Sequence, residues 1–201
     1  MKKNLFILLE AIKNKGVLET LVHILKIALE RISSVLSIFW MRMRGYDLDW
    51  SVILSGRNDF FQSLKHAISV DKHTKIGKNT RISSGFAGRI KIGKNVLIDD
   101  GCIVMAQDKI IIGDNTWIAA SCFITDFNHK YKDNSRPMYQ QGYETKPVVI
   151  GKNVWIGTHS VILPGVTVGD RAVIGAGSIV TRDVSANSVA VGNPAKVINN
   201  I

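Results

Sequence analysis

"KPVVIGKNVWIGTHSVILPGVTVGDRAVIGAGSIVTR", residues 146–182, steps in sixes. Ile150, Ile156, Ile162, Val168, Ile174 and Val180 fall at every sixth position, and glycine follows four of them, at 151, 157, 169 and 175. A helix cannot keep a period of six on one face, and an amphipathic strand alternates in twos. A six-residue step suits a solenoid. Each hexapeptide makes one short strand and one bend, and three of them close a coil of about eighteen residues. Each aliphatic then points into a prism-shaped interior and stacks on its equivalent in the next coil.

The same step runs N-terminally through Val70, Ile76, Ile82, then Ile92, Ile98, Val104, then Ile112, Ile118, Ile124. Ile76, Ile92 and Ile112 are sixteen and twenty residues apart, so the earlier coils carry small deletions and insertions. Residues 70–201 are therefore expected to form a mainly β domain of hexapeptide repeats. Residues 1–69 are expected to form N-terminal helices and a lead-in segment. In residues 1–45, Leu18, Leu21, Val22, Leu25, Leu29, Ile32, Leu36 and Phe39 recur at helical spacing. Gly16 is expected to separate a short first helix from a longer second one, and Gly45 to stop the second.

Composition narrows the function. Net charge is 26 − 16 = +10, which favours a polyanionic partner. The basic residues form no run and no nucleic-acid-binding signature accompanies them, so no nucleic acid is expected. Cys102 and Cys122 are too few for a disulfide framework and suit a reducing compartment or buried thiols. In the opening MKKNLFILLE, Glu10 and the following Lys13 break the apolar stretch, and no small-residue cleavage site follows. The later uncharged run in the N-terminal segment, Ile32–Met41, is ten residues against about 20 needed to span a bilayer. A cytoplasmic protein is expected. Residues 1–45 carry +5 and end in VLSIFWMRMR, which leaves two roles open. Their apolar face caps the first coil or a neighbouring subunit, or it touches the inner face of a membrane peripherally.

One stretch breaks the repeat. "ITDFNHKYKDNSRP", residues 124–137, opens a polar excursion over 125–147 before the step resumes at Ile150. Long loops on compact solenoids usually carry function. Its histidine, His129, has the chemistry of a general base, because imidazole titrates near neutrality and can deprotonate a hydroxyl. Asp126 and Asp133 share the loop, and either could orient the ring or simply cap turns. The five histidines lack paired carboxylate or cysteine spacing, so no metal site is expected.

Residues 146–198, through the closing "GNPAKVI", closely resemble the hexapeptide-repeat acyltransferases of the galactoside, maltose, streptogramin and capsule O-acetyltransferase branch. The resemblance reaches back to about residue 70. It implies a left-handed parallel β-helix with an N-terminal helical segment, a homotrimer with active sites between subunits, and acetyl-CoA as acyl donor. It implies His129, in "NHKY", as catalytic base and a saccharide as acceptor. Asp99 falls where relatives place an acceptor-contacting asparagine, and it is equally readable as a turn residue. Asp126 is a second acceptor-side expectation. Gly157 and Thr158 match the pair beside the thioester, Ala176 a pantetheine contact, and Thr181–Arg182 a Thr-Lys pair near the nucleotide phosphates. Lys196 stands in for a distal arginine that this chain lacks. His159, in the stretch bordering coenzyme A, is read mainly as a surface residue. Trp117 and Trp155 point outward and are read as subunit contacts. "GNPAKVI" is expected to lead into a short C-terminal cap. The implied activity is O-acetylation in surface-polysaccharide synthesis. Amino-sugar N-acylation, antibiotic acetylation and a non-catalytic scaffold are the alternatives.

Overall fold

The computed structural model describes residues 17–201. The predicted first helix and its break at Gly16 lie outside the described residues. Val17–Met43 form one α-helix (α1). Gly45 ends it in the left-handed conformation (φ 87°), and the N–H groups of Gly45 and Tyr46 bond back to the carbonyls of Arg42 and Met41.

The rest is a parallel β-solenoid of six coils with three faces. Each coil adds one short strand to each face, in register with the coils before and after. On the first face Leu48, Val70, Ile92, Ile112, Ile150 and Val168 stack in a column. On the second face the column is Leu54, Ile76, Ile98, Ile118, Ile156, Ile174 and Ala190. On the third it is Phe60, Ile82, Val104, Ile124, Ile162 and Val180. Every aliphatic counted in sixes from Val70 onward is in these columns, and nearly all are fully buried. Each buried aliphatic contributes about 1.5–3 kcal/mol of transfer free energy.

The coil architecture starts at Asp47, earlier than the repeat was followed in sequence. Leu48, Leu54 and Phe60 keep the six-residue step, and an aromatic at 60 followed by a ten-position step to Val70 hides the continuity.

The bends obey two backbone rules. The glycine after the aliphatic lets adjacent coils approach: a Cβ on Gly157 would lie 2.5 Å from the Ala176 nitrogen. The third residue after the aliphatic adopts the left-handed conformation, as at Asn95, Asn115, Asn153 and His159. His159 is thus an exposed corner residue. Cys102 and Cys122 are buried in consecutive coils, their thiols donating to the carbonyls of Ala119 and Gly157 at 3.2 Å. The last strands, Ser188–Gly192 and Ala195–Asn200, fold into an antiparallel hairpin at the end of the second face.

The helix meets the first coil through Ser34 and Ile38. The Ser34 hydroxyl accepts the Leu54 N–H at 2.9 Å, and the Arg42 guanidinium donates to the Leu48 carbonyl and lies 4.9 Å over the Trp50 ring. The expected capping by the helix's main apolar stripe is not what holds it. That stripe faces outward.

Candidate active site

The excursion leaves the third face after Phe123–Thr125 and returns as Val148–Ile150 on the first. Its root is a buried carboxylate. Asp126 is fully inaccessible and accepts the N–H groups of Gln107, Asp108 and Lys109 at 2.8, 2.9 and 2.5 Å. Burial raises its carboxyl above the ordinary aspartate value, and the three N–H groups pull it back. The Lys146 N–H bonds to the Asp126 carbonyl at 2.8 Å, which closes the excursion's neck.

Above the neck, Phe127–His129 pairs antiparallel with Tyr143–Thr145, placing His129 opposite Tyr143. The His129 ring lies 4.7 Å from that of Tyr143 and 6.4 Å from that of Phe127. It is exposed, and its nitrogens have no hydrogen-bond partner among the described residues. The strand pair therefore fixes the ring through its faces and leaves both nitrogens open. Asp133 does not orient it. That carboxylate accepts the Ser135 hydroxyl and N–H and the Arg136 Nε, bonds that hold it below the usual carboxylate range. Buried Gln141 ties the tip by donating to the carbonyls of Asp133 and Arg136. Between neck and tip lies a cavity of about 270 Å³ bordered by Lys130, Lys132, Arg136 and Glu144.

A second group gathers at the bend between the second and third faces. Gly157, Thr158 and Ala176 line a mainly apolar groove of about 310 Å³ with Trp117 and Trp155. The two indoles stack at 5.9 Å and 20°, and the Trp117 Nε1–H donates to the Asp99 carboxylate at 3.0 Å. Asp99, Trp117, Trp155 and Ala176 thus follow one another along a single edge, coil after coil. The Gly157 N–H is taken by the Ile174 carbonyl at 2.8 Å, and the Thr158 hydroxyl by the Ala120 carbonyl at 2.7 Å.

The predicted residues therefore fall into two sets. Asp99, Gly157, Thr158 and Ala176 share the bend between second and third faces. Asp126, His129, Thr181 and Arg182 belong to the bend between third and first, where the exposed Thr181–Arg182 pair follows Ile179–Val180. Lys196 is exposed on the terminal hairpin, paired with Val191. The Asp99–Trp117 bond was missed in sequence. Counting in sixes could have found it, since both flank inward aliphatics of the second face on adjacent coils. Among the described residues no group of three or more His, Cys, Asp or Glu is arranged to hold a metal ion.

The bacterial transferase hexapeptide (six repeats) family matches residues 147–182. Galactoside O-acetyltransferase of Escherichia coli K12 is 41% identical over 120 residues, covering 58% of this chain and 56% of that protein. The chain thus spans little more than half the length of that relative. The putative lipopolysaccharide biosynthesis O-acetyl transferase WbbJ of the same organism is 33% identical over 139 residues, covering 66% of this chain and 71% of that one. Among solved structures, AntD, an N-acyltransferase from Bacillus cereus, shares the fold. Its TM-score is 0.66 at 20% identity, over 80% of this chain and 87% of that one. The hexapeptide-repeat containing acetyltransferase VCA0836 of Vibrio cholerae has TM-score 0.51 at 28% identity, over 78% and 73%. The six-coil parallel solenoid, its hexapeptide register and these likenesses agree: the chain belongs to the hexapeptide-repeat transferase family.

Proposed function

We propose that the chain is an acetyl-CoA-dependent O-acetyltransferase that acts on a saccharide hydroxyl, in surface-polysaccharide synthesis on the cytoplasmic side of the membrane. The observation that carries the reading is an aromatic-braced, exposed His129 with both nitrogens open, on a polar excursion of a fold whose relatives are named O-acetyltransferases.

His129 takes the proton of the acceptor hydroxyl as its oxygen attacks the thioester carbonyl. The tetrahedral intermediate collapses, the C–S bond breaks, and the proton passes to the departing thiolate. The products are an acetyl ester and free coenzyme A. Because the Gly157 N–H is already bonded, the Thr158 N–H is the donor this pair has left to offer the oxyanion. Ala176 and the indole-walled groove accept the pantetheine arm, and Thr181, Arg182 and Lys196 meet the phosphates. Asp99 accepts acceptor hydroxyls beside Trp117. Asp126 serves that side indirectly, by anchoring the excursion rather than by contact.

The two residue sets sit at different bends, so a homotrimer supplies the complete site: His129 of one copy faces the Gly157–Ala176 groove of the next. The test is thiol release from acetyl-CoA against a panel of sugars, nucleotide sugars and amino sugars. His129→Ala should cut transfer by about 10²–10⁴-fold and leave coenzyme A binding intact. Unchanged turnover would refute the assignment, and transfer confined to amines would convert it to N-acylation.

A further inference from the structure

The helix α1 turns its main apolar stripe away from the solenoid. Thr20, Ser34 and Ile38 are its buried residues, and Ser34 is held by hydrogen bonds to the first coil. On the opposite side, Leu18, Leu25, Leu29, Ile32, Leu36 and Met43 form a stripe within an arc of about 100°. Each is more than half exposed, from 57% at Leu29 and Leu36 to 76% at Leu18. The stripe runs the full helix, about 40 Å at 1.5 Å per residue, and no polar residue interrupts it. An apolar face of that size exceeds the few hundred Å² that a monomeric soluble protein leaves bare.

We propose that α1 docks this stripe in the plane of an anionic lipid surface. Charge selects that occupant. Lys26 and Arg44 border the stripe on one side, and residues 1–45 hold eight Lys or Arg against three Glu. Exposed Phe39 and Trp40, beside Arg42 and Arg44, supply the amphipathic aromatics that settle at a headgroup boundary. No helix among the described residues is long and apolar enough to cross a membrane. Those six residues fall on a two-in-seven seam, and exposed Leu21, Ile24 and Val35 beside them widen the apolar face beyond what two interlocking helices would cover. The inference stands whether or not the chain transfers acetyl groups.

Flotation of the full-length protein tests it, with vesicles of neutral phosphatidylcholine and with others containing about 30% phosphatidylglycerol. The protein should float with the anionic vesicles, less so in high salt, and stay down with the neutral ones. The double variant Leu25→Glu/Leu36→Glu changes only exposed positions. It should lose at least roughly tenfold in vesicle binding, with unchanged circular dichroism and unchanged mass by light scattering. No flotation, equal flotation of the variant, or equal binding to neutral vesicles overturns the proposal. A fall in the variant's mass also overturns it, by assigning the stripe to contact between copies.

Discussion

Replacing Asp126 with alanine should loosen the excursion at its root. The carboxylate is inaccessible and satisfies three N–H groups of the 107–109 turn. A stranded buried donor costs about 1–3 kcal/mol. The exposed Lys109 gives water a path to its own amide, which leaves two stranded donors and roughly 2–6 kcal/mol. The native carboxylate bears a burial penalty, visible in its raised pKa, that alanine escapes. A net loss of about 3 kcal/mol follows. Asp126→Asn keeps one acceptor oxygen but turns an NH₂ toward a donor, so it should lose less, about 1–2 kcal/mol. The raised pKa gives a further sign. Native Asp126 stability declines as pH rises from the ordinary aspartate value to the folded one, then levels off. Urea unfolding at neutral pH measures the loss, and amide exchange at residues 107, 108 and 109 localises it. A loss under about 1 kcal/mol with unchanged exchange at those amides would refute the anchoring role.

Other outcomes follow from the same geometry. Ile118→Ala empties a site stacked between Ile98 and Ile156 and should cost about 2–5 kcal/mol in urea unfolding. Gly157→Ala presses a methyl onto the Ala176 backbone, so it should lower stability by about 1–3 kcal/mol and weaken coenzyme A binding by calorimetry. Arg182→Ala should weaken coenzyme A binding roughly tenfold and flatten its salt dependence, measured by titration at two ionic strengths. The lowered Asp133 pKa makes its contribution full above the ordinary aspartate value and lost as pH falls through the folded one. Limited proteolysis at the 133–141 tip should be flat from about pH 5 to 8 and rise only in stronger acid.

Much of the solenoid was legible because its interior is a column, and a column writes itself as a period. Ile98, Ile118 and Ile156 stand in register although the last two are thirty-eight residues apart. The first coil was harder to see. The step from Phe60 to Val70 is ten positions instead of six, and Phe60 is aromatic where the later columns are aliphatic, so the count starts afresh there. His129 stood out as the histidine inside the one long polar break. The engagement of Asp126 could not be read, because its partners are backbone amides on another coil, and backbone donors leave no mark in sequence. The mounting of α1 ran against the usual rule that a helix buries its most apolar stripe. Ser34 decides it through a hydrogen bond to Leu54, a contact between two segments that share no pattern.

The neck of the excursion has a consequence for variation among relatives. Phe127 pairs with Thr145 and Lys146 bonds to Asp126, while the strands before and after continue the coil ladder without a shift. The loop is therefore a cassette whose two ends meet at one height on the prism. Its interior can be lengthened, shortened or exchanged without altering the pitch of the stack beneath it. The excursion can then vary among relatives while the Gly157–Ala176 groove, built from coil backbone, stays put. Grafting residues 127–145 between members of the family, followed by activity against a sugar panel, tests whether the excursion sets acceptor choice.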